Sequence, residues 1–161
     1  MPSSTVLDSA RVLLVGTSEW LAQFDATLDA QTTAAVHRVR TVSDAIDAFE
    51  TRPADCLVTE YALGEQTGLD LLTEIRAETA TLPVIVGAAA GSDAIASEVI
   101  GAGATEYVAL TDGVEEMAEE LLDRTGRAVR SAQRAATRRE RARQFDAVFD
   151  DSRTATWVLD P

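Results

Sequence analysis

The chain's 161 residues, 46% of them hydrophobic, suffice for one domain with a sizeable core and something appended, and exclude a largely disordered chain. All 14 basic residues are arginine, set against 27 Asp and Glu, and the net charge of -13 would repel a nucleic-acid backbone. The single cysteine, Cys56, forms no internal disulfide, no apolar run nears the ~18 residues of a membrane span, and the start MPSSTVLDSA lacks the regions of a signal peptide, so a cytoplasmic location is expected.

The absence of lysine beside so many carboxylates points to a salt-adapted, GC-rich source, where a carboxylate surface stays hydrated. The charge is uneven along the chain. Residues 1–122 carry 21 acids and 5 Arg, residues 123–143 carry 2 acids and 8 Arg, and residues 144–161 carry 4 acids and 1 Arg. That reversal marks a boundary near residue 123.

Taken in order, residues 1–10 form a short polar leader, and Arg11 to Val15 (RVLLV) reads as a buried parallel strand stopped by Gly16. Ser18 is placed to cap a helix with Trp20, Leu21, Phe24 and Leu28 on one face. Ala35 to Arg40 alternates as an edge strand does, and Ser43 is placed to cap a short helix through Ala45, Ile46 and Phe49 that ends before Pro53. Cys56, Leu57 and Val58 lead to Thr59 and Glu60, so a carboxylate stands where a third strand emerges; in open α/β sheets that end carries ligands and chemistry. Gly64 and Gly68 punctuate the loop, and a helix from about Thr67 to Glu78 turns Leu69, Leu71, Leu72 and Ile75 inward. Pro83 opens the strand PVIVG, and a helix over Asp93 to Gly101 turns Ile95, Val99 and Ile100 inward. Ala104 to Leu110 is a fifth strand, after which Asp112 caps a helix beginning near Val114.

Five strand–helix units in strict alternation imply an α/β, flavodoxin-like, doubly wound five-stranded parallel sheet of order 2-1-3-4-5 with an extended C-terminal helix. Its crevice would be lined by Gly16, Thr17, Glu60, Gly87, Ala88, Leu110 and Thr111.

The stretches LVTEYALGEQTGLDLL, LPVIV and GAGATEYV, at their spacing within residues 11–122, resemble the receiver domain of two-component response regulators. Receivers of that family move a phosphoryl group from a histidine kinase onto an aspartate. They use an acid pair after strand one to hold Mg²⁺, a Thr or Ser after strand four and a Lys after strand five. Carried onto this chain, the acid pair falls on Gly16 and Thr17, the nucleophile on Glu60, the hydroxyl on Ala88, the lysine on Leu110 and the proline after it on Thr111. Each position departs from the pattern, and no register supplies a lysine to a chain without one. The resemblance therefore implies a pseudo-receiver with no catalytic residue, metal or cofactor, a phosphorelay module acting through protein–protein contacts rather than as an enzyme.

Three readings of Glu60 stay open: a polar residue left in a solvated crevice, an imitation of phosphoaspartate, or a residue itself phosphorylated. The alternative function is a conventional Mg²⁺-dependent phosphoacceptor. Tyr107 falls on the aromatic that family members reorient on activation. GTSE (Gly16 to Glu19), with Trp20 and Tyr61 nearby, leaves a flavin or nucleotide binder as a further alternative. His37, the lone histidine, has no Cys or His partner for a metal, and Gly101 and Gly103 read as a helix C-cap.

From Val114 to about Asp150 there is no proline, and a continuous helix of roughly 37 residues would span ~55 Å. Ala118, Leu122, Thr125, Val129, Ala132 and Ala136 form a weak heptad seam, so residues 123–150 are expected to be a linker helix, single or paired as a coiled coil, that relays signals or dimerises. Together with the fourth helix, fifth strand and fifth helix it makes the expected homodimer and partner face, by family resemblance. Residues 151–161 resemble the opening of a PAS sensor domain, with Phe145, Val148 and Phe149 on the preceding helix and a first strand at Thr156 to Leu159. A receiver–PAS signalling protein of haloarchaeal type, the parent being a histidine kinase or a transcriptional regulator, is the expected context; no nucleic acid or membrane contact is expected of this chain.

Overall fold

The computed structural model describes residues 6–89, 92–109 and 114–159, with side chains of the last helix described from 116 to 143. Strand β1 (Arg11–Val15) leads to helix α1 (Glu19–Gln31), β2 (Ala35–Val39), α2 (Val42–Thr51) and β3 (Cys56–Glu60). Helix α3 (Gly68–Glu78), β4 (Val84–Ala88), α4 (Asp93–Gly101), β5 (Glu106–Ala109) and α5 (Val114–Leu159) complete the order. The strands pair in parallel as β2-β1-β3-β4-β5, the expected doubly wound arrangement. β3 and β4 are buried at every residue, which is why both read as continuous apolar runs, whereas the edge strand β2 is half exposed.

The chain divides into two compact units, Met1–Arg130 and Ser131–Pro161. In the first, one face of the sheet packs Leu14, Val58 and Ile85 against Trp20, Phe24 and Leu28 of α1 and Leu121, Leu122 and Val129 of α5. The other face packs Val15, Leu57 and Val86 against Ala45 of α2, Leu71, Leu72 and Ile75 of α3 and Val99 of α4. Among the described residues no helix is long and apolar enough to cross a membrane.

Several expectations are corrected in detail. The leader is tied in: Leu7 is fully buried, and Asp8 Oδ1 accepts from the Thr33 backbone N–H at 3.0 Å. The α2 cap is Thr41, whose hydroxyl accepts from Asp44 N–H at 3.0 Å; Ser43 lies inside the helix. The loop after β3 holds a two-residue antiparallel ladder, Ala62–Leu63 with Gln66–Thr67, around Gly64 at φ 71°, and Thr67 then starts α3 with a capping box to Asp70. Ile100 points outward at 49% exposure, because the inner face of α4 is made by Val99, fully buried, and Ile95, partly buried.

The heptad seam is divided. Ala118, Leu122, Thr125 and Val129 are buried against the domain's own body, since an amphipathic stripe serves a sheet as well as a partner helix. Thr156 to Leu159, expected as a strand, are helical, with their backbone groups paired inside α5. Asp112 lies outside the described residues.

Candidate functional site

The carboxyl ends of β1, β3 and β4 lie side by side, with Val15 opposite Thr59 and Glu60 opposite Gly87. Glu60, the last residue of β3, is only 7% exposed. Its side chain folds back across the end of β1, into space that exists because residue 16 is glycine. A Cβ on Gly16 would stand 2.2 Å from Glu60 Cδ, and the backbone there has φ +142°, a value side-chain-bearing residues rarely adopt.

The carboxylate meets the start of α1. Glu60 Oε1 accepts from the Ser18 backbone N–H at 2.5 Å and from the Ser18 hydroxyl. Ser18 occupies the N-cap position with extended backbone, yet its side chain makes no cap hydrogen bond, because that hydroxyl is donated to Glu60. A carboxylate at the positive end of a helix, with two donors on Oε1, is held where it lies. The main chain is equally fixed: the Glu60 carbonyl accepts from Thr59 Oγ1 at 2.9 Å, Tyr61 N–H donates to Gly87 O at 2.9 Å, and Gly68 N–H donates to Tyr61 O at 2.7 Å. Gly68 is required here too, since a Cβ would lie 2.6 Å from the Glu60 carbonyl oxygen.

On the β4 side Trp20 closes the crevice. Its ring lies over Gly87, where an added Cβ would come 2.8 Å from Cη2, and the indole is buried in the α1 cluster. Ala88 is buried and offers only a methyl group. Thr17 and Glu19 are exposed. Tyr107 is half-buried on β5, opposite Val86, with its hydroxyl buried and unpartnered. Leu110 and Thr111 lie outside the described residues.

Of the residues singled out in the sequence, the structure thus joins Gly16 to Glu60 directly and sets Gly87 and Ala88 beside them; Thr17 faces solvent. Ser18 and Trp20 were expected as a cap and a core residue, or within a flavin-type loop, and not as neighbours of Glu60 and Gly87. The hydroxyl two positions after Gly16 was the available signal for Ser18.

Receivers imply Mg²⁺, which takes near-octahedral oxygen ligands from carboxylates, phosphates and water. The donors here do not fit it: residues 16 and 17 bring no carboxylate, and Glu60 Oε1 is engaged by Ser18. Among the described residues no three His, Cys, Asp or Glu side chains group closely enough to hold a metal. At the far end of β3, burial and then the Asp55 charge push the Cys56 thiol up to about 12, so it stays protonated and unreactive. Burial lowers the Arg76 guanidinium, which donates to Gly103 O at 2.9 Å and ties α3 to the turn before β5.

A family model described as the response regulator receiver domain matches residues 12–121. No curated protein matches the chain. Among solved structures, the signal receiver domain of an HD domain-containing protein from Pseudomonas fluorescens is 18% identical, covers 81% of this chain and 93% of that one, and has TM-score 0.67. A CheY-like response regulator receiver domain protein from Methanospirillum hungatei is 15% identical, with coverages of 76% and 98% and TM-score 0.64. The beryllofluoride-activated NtrC4 receiver domain dimer is 20% identical, with coverages of 76% and 98% and TM-score 0.65. At such identities the likeness speaks to the fold.

Proposed function

Since the chain belongs to the response regulator receiver domain family, we propose that it is a receiver that accepts no phosphoryl group and signals through a fixed protein-binding surface. The observation that carries this reading is the engagement of Glu60: buried, folded over Gly16 and held by both donors of Ser18. Phosphoryl transfer needs a free nucleophile and cationic or hydroxyl groups aimed at the charge that develops. Ala88 offers no hydroxyl, and the chain has no lysine. Imitation of phosphoaspartate is the weaker use of Glu60, because a carboxylate carries one charge against the ~1.5–2 of a phosphoryl group and this one turns toward α1.

The output surface we assign is α4, β5 and α5, supported by Ile100, the exposed large hydrophobic residue on α4. Dimerisation through the linker helix is supported by Ala132 and Ala136, seam residues that are half-buried and exposed respectively. A PAS module after the helix is supported by Phe145, Val148 and Phe149 in the sequence, and a haloarchaeal, cytoplasmic setting by the lysine-free acidic composition.

Incubation with acetyl phosphate and Mg²⁺, followed by intact-mass measurement, tests the proposal: no phosphoryl adduct is expected. Beryllofluoride with Mg²⁺ is expected to leave the amide signals of Glu60 and Gly87 unmoved. A stable adduct lost on Glu60→Gln substitution would make the chain a conventional phosphoacceptor.

A further inference from the structure

At the end of the sheet opposite Glu60, the first residues of β1 and β2 and the C-terminal end of α2 enclose an open groove of about 120 Å³. One water needs ~10–15 Å³ of such space, so the groove has room for an apolar side chain. Leu13, Ala48 and Pro53 supply its apolar wall, and Arg11, His37 and Arg52 its rim. Among the described residues no carboxylate lines it. The nearest acid in sequence, Asp55, is engaged by the Arg11 backbone N–H at 2.8 Å.

That charge is out of keeping with the rest of the domain. Residues 1–122 hold 21 acids and 5 arginines, and three of those arginines, Arg11, Arg38 and Arg52, lie on β1, on β2 and at the end of α2. Arg38 faces Asp25 at 3.9 Å. Protection of an edge strand by charge accounts for cations on β2, and a helix C-terminus accounts for Arg52. Neither accounts for Arg11 on an interior strand, nor for three basic side chains converging on apolar walls without an acid among them.

We propose that this groove docks an acidic, extended peptide segment of a partner protein. One apolar side chain of the peptide sits against Leu13, Ala48 and Pro53, and carboxylates flanking it meet Arg11, Arg52 and His37. The groove lies at the end of the sheet away from Glu60, so the contact does not involve that residue.

The test is fluorescence anisotropy of the full chain with a labelled peptide of alternating leucine and glutamate at low salt. Its lysine counterpart and a single-stranded oligonucleotide of equal charge serve as comparisons. The acidic peptide alone is expected to bind, with amide shifts at Val36, Ala48 and Ala54. Arg11→Glu with Arg52→Glu is expected to weaken it at least about tenfold, the scale of ~1.4 kcal/mol, and Arg11→Lys with Arg52→Lys to retain binding. Should the charge-reversed variant fail to fold, Arg52→Gln, at an exposed helix end, carries the same expectation of weakened binding. Unchanged affinity in a folded variant, equal binding of the lysine peptide, or equal binding of the oligonucleotide would each overturn the proposal.

Discussion

Gly16 and Glu60 depend on one another. The longer acidic side chain lies where it does because nothing projects from residue 16, and Gly16→Ala would combine the 2.2 Å overlap with an unfavourable φ. The expected loss of stability is about 2–4 kcal/mol, from overpacking and backbone strain together, measured by urea denaturation. Glu60→Ala in the same background should return part of it, which a purely backbone effect would not allow. Cys56 gives a second residue-scale expectation. Above its ordinary value of 9.0 the unfolded thiol loses its proton, while the folded one keeps it up to about 12. The native state then holds more protons, so stability falls as pH rises through that window, by up to ~1.4 kcal/mol per pH unit. Denaturation at pH 8 and pH 10 should show a smaller drop in Cys56→Ala than in the parent. The positions of Gly16, Glu60 and Ala88 were legible in the sequence from strand ends alone. Their coupling was not, because it depends on which way a glutamate side chain turns once two strands separated by 44 residues lie side by side.

At the scale of elements, the apolar periodicities translated faithfully: α1 buries Trp20, Leu21, Phe24 and Leu28, and α3 buries Leu71, Leu72 and Ile75. Caps were less legible, since a run of hydroxyl residues such as Thr41 and Ser43 offers more than one start, and the choice falls to whichever hydroxyl reaches the third N–H. The last helix was the hardest to read. Its stripe of Ala118, Leu122, Thr125 and Val129 suits a coiled coil and a sheet face alike, and the domain's own sheet takes it. Leu121→Ala is therefore expected to cost about 2–5 kcal/mol, because Leu121 is fully buried with Phe24 and Leu28. Arg134→Ala, at an exposed position of the second unit, should stay within ~0.5 kcal/mol of the parent. Equal effects of the two substitutions in chemical denaturation would contradict this division of the helix.

For the whole molecule, charge sets the solution behaviour. A net charge of -13 makes the folded state repel itself, and raising salt from ~0.1 M to ~1 M shortens the screening length from ~10 Å to ~3 Å. The melting temperature is expected to rise by several degrees over that range of KCl; a flat or falling curve would count against salt adaptation. Composition, alternation of apolar runs and the spacing of strand ends by themselves determined the layered α/β sheet and its strand order, because burying five apolar strands with right-handed crossovers leaves few arrangements. They also determined that no lysine could serve a phosphoryl group. Only the tertiary structure decided that Glu60 is closed against Ser18, that Trp20 covers Gly87, and that arginines distant in sequence gather at one groove. Those outcomes rest on contacts between side chains whose distances the chain order does not encode.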